Sequence, residues 1–129
     1  MWAMAGPAAS RVLADHGAVV VRIESQRRPD PMRRISPFQN GEPGPENSAS
    51  FQNLNASKMG LALDLSQPAG RVVCLDLVRW ADVVMESYSP KVMKAWQLDY
   101  DTLRHIKPDL IILSTSLRDP CPRLQVLET

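Results

Sequence analysis

Short apolar runs recur along this chain, and segments with helical spacing separate them. The runs occupy residues 18–23, 61–65, 82–86 and 110–114. Runs of this length, rich in β-branched residues and bounded by turn formers, are typical of strands buried on both faces. Strands that alternate with helices form βαβ units, in which the strands lie parallel. The sequence therefore predicts an α/β fold with a Rossmann-like parallel sheet and flanking helices.

Turn-forming residues set the limits of the two longest predicted helices. Pro7 lies near the start of the first helix and Gly17 ends it, where a left-handed residue is favoured. Ser66 is expected to cap the second helix, which has Pro68 in its first turn and runs to about Trp80. Shorter helices are predicted near 89–96 and 101–106.

The segment between residues 25 and 57 has no apolar periodicity. It is rich in Arg, Pro, Gly, Asn and Ser, with Phe38, Phe51 and Leu54 as its apolar anchors. A loop of this length is uncommon in a compact domain unless it binds something or moves. We therefore expect a long irregular loop in this segment.

Loops that follow the strands are the expected ligand positions, because parallel α/β sheets bind ligands at their carboxyl ends. Four arginines in the first of these loops could hold phosphate or could form a solvated basic surface: Arg27, Arg28, Arg33 and Arg34. Asp64 and Glu86 end two strands, and each could face a ligand or cap the following turn. The same alternatives hold for the serines of Ser87-Tyr88-Ser89.

Aromatic and imidazole side chains on helices are assigned structural roles. Trp80 and Trp96 lie on helical faces and are predicted core residues. His16 and His105 lie at helix ends. A histidine there is more often an exposed cation that the helix dipole favours than a catalytic base. The sequence also has no GxGxxG, GxxxxGK[ST] or GxSxG motif.

Composition excludes several classes of protein. The formal net charge of +1 and the lack of aromatic residues among the basic ones argue against nucleic-acid binding. No apolar stretch is long enough for a membrane span, and the N-terminus does not resemble a signal peptide, so a cytoplasmic protein is expected. Cys74 and Cys121 match no metal-ligand or redox spacing, which predicts free thiols and no metal site.

A series of short motifs follows along residues 3–116. They are AGP at 5–7, DHGA at 15–18, RIE at 22–24, DPMR at 30–33, NASK at 55–58 with LALDL at 61–65, PAGR at 68–71, ADVVME at 81–86, and SYSP at 87–90 with PDLI at 108–111. Single motifs of this kind are weak, but their shared order is specific. The chain resembles the N-terminal part of class III (CaiB/BaiF-type) coenzyme A transferases.

The resemblance implies an activity and a ligand. Enzymes of this family move coenzyme A between an acyl-CoA and a carboxylic acid through an aspartyl thioester, with no permanently bound cofactor. A racemase branch shares the fold and is the first alternative; a gene remnant or a coenzyme A-binding module without turnover is the second. The family forms interlocked homodimers, and we do not expect this partial chain to form one.

The family pattern also implies which residues lie near coenzyme A. They are Met4, Ala5, Arg28, Arg33, Leu63, Asp64, Leu65, Ser66, Ser87, Tyr88 and Ser89. Two arginines that the family often carries are replaced by Ser25 and Ala95. Lys94, Arg27 or Arg28 are candidates to substitute for them.

Both ends of the chain depart from the family pattern. The family begins with a strand ahead of the AGP turn, so residues 1–116 are interpreted as a partial domain whose first strand is missing. Residues 117–129 lack the expected glycine-rich loop and are interpreted as an aberrant or frameshifted tail. No catalytic aspartate is identified, because nothing around Asp119 matches the family's context. We therefore expect no turnover and poor solubility from the chain alone.

Overall fold

The computed structural model describes residues 3–115 as an α/β arrangement. In chain order, the helices and strands are α1 (Ala5–Asp15), β1 (Val21–Glu24), α2 (Ala49–Asn55), β2 (Met59–Ala62), α3 (Pro68–Trp80), β3 (Val83–Glu86), α4 (Pro90–Ala95), α5 (Tyr100–Ile106) and β4 (Ile111–Ser114). Two 3₁₀ turns, Pro31–Arg34 and Gln39–Gly41, lie between β1 and α2. The predicted tail at 117–129 and the Cys121 thiol lie outside the described residues.

The four strands form two separate parallel pairs. β1 pairs with β2, with Val21 opposite Met59 and Glu24 opposite Ala62. β3 pairs with β4, with Val83 opposite Ile111 and Glu86 opposite Ser114. The predicted α/β class and the parallel strands are confirmed. Within the described residues the two pairs are separate, because no strand there joins β1 to β3.

The first helix begins and ends as its turn formers predict. Pro7 is buried in the first turn of α1, where its missing N–H needs no partner. Gly17 has φ of +94°, a conformation that L side chains rarely adopt, and it redirects the chain from α1 toward β1. The His16 Nδ1 lies 2.7 Å from the Val12 carbonyl oxygen at the end of α1.

The segment between β1 and β2 is more ordered than its sequence predicts. Ser48 caps α2, since its Oγ accepts a hydrogen bond from the Phe51 N–H at 3.2 Å. The same hydroxyl lies 2.7 Å from the Met32 carbonyl oxygen and 2.6 Å from that of Ile35. The prediction of an irregular loop was wrong, because tertiary hydrogen bonds replace the missing periodicity.

The start of α3 also differs from its prediction. Gln67, not Ser66, is the N-cap residue, and Pro68 is the first helical residue. Ser66 instead donates to Asp64, with 2.6 Å between Ser66 Oγ and Asp64 Oδ1. The preceding strand ends at Ala62, which leaves 63–67 as the loop between β2 and α3.

The core lies between α3, α4, α5 and the second strand pair. Its buried residues are Leu65, Cys74, Val78, Met93, Leu98, Leu103 and Leu110. Trp96 packs against this cluster as a half-buried side chain, in agreement with its predicted role. Trp80 is 56% exposed, so its assignment to the core was wrong. It lies at the last position of α3, where the helix runs beyond the cluster.

Candidate functional site

The carboxyl ends of β1 and β2 place two loops side by side. The Leu63 N–H donates to the Glu24 carbonyl oxygen at 3.0 Å, which continues the pairing past the end of β1. Arg27 of the first loop reaches Asp64 of the second, with 3.7 Å between Nη1 and Oδ2. These loops form one edge, as the position of parallel strand ends predicts.

The N-terminus of α1 lies at the same edge. The Ala3 N–H donates to Asp30 Oδ1 at 3.4 Å, and Asp30 belongs to the loop that follows β1. Met4 is 63% exposed, and Ala5 is also exposed. The start of a helix and the ends of two strands therefore meet around one solvent-facing region.

A buried network of two arginines and two carboxylates organises the loop after β1. Arg33 pairs with Glu24 in a bidentate geometry, with Nε–Oε1 and Nη2–Oε2 distances of 2.9 Å. Arg22 pairs with Glu24 and with Asp30, the latter at 2.7 Å between Nη2 and Oδ2. The Asp30 side chain is fully buried, so these partners take the place of water around its oxygens.

The ionisation of Glu24 reflects this network. Burial by itself would raise the pKa of Glu24, but hydrogen bonds from Arg33, from the Asp30 N–H and from Arg22 outweigh it. The resulting pKa is about 2. Glu24 is therefore an ionised carboxylate whose hydrogen bonds to Arg22, Arg33 and the Asp30 N–H hold the loop in a fixed shape.

The arginines of this loop have different surroundings. The Arg33 guanidinium also donates to Glu46 Oε1 at 2.8 Å, and its central carbon lies 3.7 Å from the centre of the Phe51 ring. Arg28 is exposed, and the Arg27 side chain is 76% exposed. Arg27 and Arg28 thus face solvent at the edge, whereas Arg33 is engaged within the protein.

The loop between β2 and α3 is tightly fixed against the start of α3. Asp64 Oδ1 accepts hydrogen bonds from the Ser66 N–H at 3.0 Å and from the Ser66 hydroxyl. These hydrogen bonds, with a smaller contribution from Arg27, hold the pKa of Asp64 below its ordinary value. A side chain at Gly70 would place its Cβ 2.2 Å from the Asp64 carbonyl oxygen. Only glycine allows this approach without a shift of the backbone.

The turn after β3 is held by Glu86 and by an aromatic pair. The Tyr88 N–H donates to Glu86 Oε2 at 2.6 Å, so this buried carboxylate caps the turn. The Tyr88 ring meets Trp96 edge-on, with 5.0 Å between ring centres. Burial raises the pKa of Tyr88, which keeps its hydroxyl neutral. Ser89 is the N-cap residue of α4.

Comparison with known proteins identifies the family of the chain. The sequence pattern of the family described as CoA-transferase family III matches residues 1–117. Succinyl-CoA:mesaconate CoA-transferase from Haloarcula hispanica is 39% identical over 113 residues, which is 86% of this chain. Succinate–glutarate CoA-transferase from Agrobacterium fabrum is 36% identical over a stretch of the same length. The chain belongs to CoA-transferase family III.

Solved structures agree with this assignment. A CaiB/BaiF family protein from Brucella suis matches 88% of this chain at 33% identity, with a TM-score of 0.76. The match covers 30% of the Brucella protein, and the two curated relatives are each covered over 28% of their length. This family III chain therefore spans under a third of each of these proteins.

Most of the residues that the family pattern placed near coenzyme A lie on the loops described above. Met4 and Ala5 lie at the start of α1, Arg28 follows β1, and Leu63 to Ser66 follow β2. Leu65 is buried in the core, so its side chain is not exposed at the edge. Ser87, Tyr88 and Ser89 follow β3, on the second strand pair. The contacts of all these predicted site residues with coenzyme A remain predictions.

Lys58 is a structural residue of the edge, and it is not among the predicted site residues. Its ammonium group donates to the carbonyl oxygens of Pro7 and Leu54, both at 2.8 Å, and to Asn55 Oδ1 at 3.1 Å. Burial, followed by the nearby charges of Arg22 and Arg11, lowers its pKa to about 8. The NASK motif already marked this position, but the long-range contact with α1 is visible only in the structure.

Potential metal ligands, apolar helices, thiols and imidazoles complete the description of residues 3–115. Within 3–115, no three potential metal-ligating side chains gather into a group. No helix in this range has the length and apolar character needed to cross a membrane. Cys74 is a buried free thiol whose pKa is raised by burial. His105 lies in the last turn of α5, as its sequence position predicts.

Proposed function

We propose that this chain forms the coenzyme A-holding edge of an enzyme that transfers coenzyme A from an acyl-CoA to a carboxylic acid. The observation that carries the proposal is the convergence of α1, β1 and β2 at one edge, in a chain that belongs to CoA-transferase family III. The two relatives described above are both named as CoA-transferases. Their names favour transfer over the racemase alternative.

The exposed arginines supply the charge that a nucleotide phosphate needs. Arg27 and Arg28 stand in the loop after β1, and a guanidinium can hold a phosphate through two hydrogen bonds. Arg33 acts on the ligand indirectly, since its bidentate pair with Glu24 fixes the loop that presents Arg28. The backbone around Met4, Ala5 and 63–66 completes the proposed contact surface, and Ser87 to Ser89 extend it along β3.

The covalent chemistry of the family requires an aspartate. In the proposed reaction, that carboxylate attacks the acyl-CoA and forms a mixed anhydride, and the released coenzyme A thiolate attacks the aspartyl carbonyl, which gives an aspartyl thioester and frees the donor acid. The acceptor carboxylate then attacks the thioester to form a second anhydride, and the released thiolate attacks its acyl carbonyl, which gives the new acyl-CoA and the free aspartate. We identify no residue of the 129 with this role. The proposed activity of this chain by itself is ligand binding without turnover.

Calorimetry with coenzyme A and the purified 129-residue chain tests the proposal. We expect saturable binding that weakens roughly tenfold in Arg28→Ala, which corresponds to about 1.4 kcal/mol for one charged contact. Arg79→Ala is the matched control, because Arg79 pairs with Asp76 in the last turn of α3, before β3 begins. The same titration with dephospho-coenzyme A, which lacks the 3′-phosphate, shows whether Arg28 contacts that phosphate.

Two results would contradict the proposal. The first is a folded chain that binds no coenzyme A at millimolar concentration. The second is equal weakening in Arg28→Ala and Arg79→Ala, which would indicate attraction by general charge. Transfer of coenzyme A from an acyl-CoA to a radiolabelled carboxylic acid by the chain alone would overturn the absence of turnover.

A further inference from the structure

The last turn of α2 is a point at which α1 is fixed to the rest of the chain. The final carbonyl groups of a helix have no partner within it, and positive groups are favoured beside them. The Lys58 ammonium group donates to the Leu54 carbonyl oxygen at 2.8 Å. Arg11 of α1 donates to the Asn53 carbonyl oxygen at 2.6 Å. The end of α2 therefore receives one cation from α1 and one from the segment before β2.

The same ammonium group of Lys58 also reaches the first turn of α1. It donates to the Pro7 carbonyl oxygen at 2.8 Å and to Asn55 Oδ1 at 3.1 Å. With Leu54, these are three acceptors for the three N–H groups of one ammonium, so each donor has a partner. Burial lowers the pKa of Lys58 to about 8, so the group is still mainly charged at pH 7.

The position of Lys58 is itself set by the first strand pair. Lys58 directly precedes Met59, the first residue of β2, which lies opposite Val21 of β1. Near the start of α1, the Ala3 N–H also donates to Asp30, but over the longer distance of 3.4 Å. A hydrogen bond from a charged group is the stronger kind. Of these two contacts, the one from Lys58 should hold α1 more firmly.

We propose that Lys58 is a positioning residue for coenzyme A, which holds the first turn of α1 against the ends of β1 and β2 without touching the ligand. All of its donors are engaged within the protein, so none is left for a phosphate. The inference rests on the proposed function, in which Met4 and Ala5 at the start of α1 contact coenzyme A. A binding surface that is held in place before the ligand arrives loses less entropy on binding.

Hydrogen exchange of the chain without ligand tests whether Lys58 holds α1. In Lys58→Ala, the backbone amides of residues 8–15 should exchange at least roughly tenfold faster, because α1 then opens at a smaller cost in free energy. Lys107→Ala is the matched control. Lys107 is also half-buried and donates to a distant carbonyl oxygen, that of Ala81 at 2.7 Å, but it lies beside the amino end of β3. This variant should leave the exchange of α1 unchanged.

Calorimetry at pH 7 tests whether that role extends to coenzyme A. We expect Lys58→Ala to weaken the binding of coenzyme A at least roughly tenfold, whereas Lys107→Ala should remain within about twofold of the unmodified chain. Chemical denaturation of both variants shows how much stability each has lost. A loss of affinity that follows the loss of α1 protection, and not the loss of stability, is expected.

Propylammonium can replace what Lys58→Ala removes, since it carries the same three carbons and ammonium group. Lys58 lines a cavity of about 570 Å³, through which the ion can enter. Propylammonium should restore both the slow exchange of α1 and most of the affinity for coenzyme A. Tetramethylammonium has the same charge but no N–H donor, so it should restore neither. Arg28→Ala, which removes a proposed direct contact, should gain nothing from either ion.

A measurement on the unmodified chain serves if Lys58→Ala does not fold. Coupling between two sites is reciprocal, so a ligand that depends on the Lys58 contacts must also stabilise them. Saturating coenzyme A should slow reductive methylation of Lys58 at least roughly fivefold and leave Lys107 within about twofold. It should also slow the exchange of residues 8–15. Mass spectrometry of the digested chain measures both effects, and an unchanged Lys58 would contradict the inference.

Three further results would overturn the inference. One is α1 exchange at the same rate in Lys58→Ala and in the unmodified chain, a result that does not involve coenzyme A. Another is an equal loss of affinity in Lys58→Ala and Lys107→Ala, which would indicate lost stability alone. The third is rescue by tetramethylammonium, which would indicate general charge.

Failure of the proposed function gives a different result. An unmodified chain that is folded but binds no coenzyme A would overturn the proposed function and, with it, the role of Lys58 toward the ligand. The exchange of α1 measured without ligand would then still decide whether Lys58 holds the helix.

Discussion

At the scale of single residues, Glu24 joins three partners at the edge. Its carboxylate pairs with Arg22 and Arg33 and accepts the Asp30 N–H at 2.7 Å. Because the side chain is 13% exposed, water cannot replace these partners. The residue therefore links the end of β1 to the loop that carries Arg28.

Replacement of Glu24 by glutamine should strongly destabilise the chain. The substitution leaves the Arg22 and Arg33 guanidinium groups with one buried carboxylate, Asp30, and breaking a buried pair costs about 3 kcal/mol. Chemical denaturation measures the free energy of unfolding. Glu46→Gln is the control, because Glu46 contacts the same Arg33 but is 79% exposed, and we expect it to cost under about 1 kcal/mol. Equal losses would contradict the role assigned to Glu24.

The low pKa of Glu24 also predicts an acid sensitivity. Its pKa is about 2 in the folded chain and near its ordinary value of 4.5 when unfolded. The stabilisation is therefore fully present above pH 4.5 and is lost as pH falls from 4.5 to 2. Denaturation at pH 5 and pH 3 should show a smaller loss of stability in Glu24→Gln than in the unmodified chain. Parallel pH profiles for the two proteins would show that other groups control the acid response.

At the scale of elements, Gly70 fixes how α3 follows β2. Its missing side chain allows the Asp64 carbonyl to approach the first turn of the helix. The loop 63–67 is held by that contact and by the Asp64–Ser66 hydrogen bonds. Any shift here moves the proposed coenzyme A contacts.

Gly70→Ala should lower the free energy of unfolding by about 2 kcal/mol, the usual cost of forcing extra volume into a packed site. Thermal or chemical denaturation would measure the loss. Gly60→Ala is the control, since no atom lies within 4 Å of its added Cβ, and it should be neutral or slightly stabilising. A neutral Gly70→Ala would show that the loop moves without cost.

At the scale of the whole molecule, the second strand pair has one apolar face in solvent. Val84 and Ile112 pack against the core, so the alternate residues point away from it. On that outer face, Val83 is 39% exposed, Ile111 is 62% exposed and Leu113 is 42% exposed. A contiguous apolar face of this kind favours association.

We expect the isolated chain to self-associate as its concentration rises, and Ile111→Lys to reduce that association. Sedimentation velocity over a hundredfold concentration range measures both. Ile112→Lys is the control that separates the two faces of β4. The Ile112 side chain packs on the core, so lysine at this position should unfold the chain instead of reducing association. An unmodified chain that sediments as a monomer throughout would rule out the role of this face.

Local sequence patterns determined the elements of this protein. Apolar runs predicted all four strands, with ends shifted by up to three residues, and turn formers predicted α1 and α3. The order of short motifs determined the family, since each motif reflects a turn or a strand end. These features depend on neighbours in the chain, so the sequence alone contains them.

Tertiary contacts decided what the patterns could not. α2 forms because Ser48 bonds to carbonyls more than ten residues away, and no periodicity marks that contact. Arg28 and Arg33 looked alike in sequence, but partners from distant parts of the chain hold Arg33 and leave Arg28 in solvent. The break between the two strand pairs is likewise a property of the assembled fold. Burial and pairing depend on which segments meet in space, and local composition does not determine that.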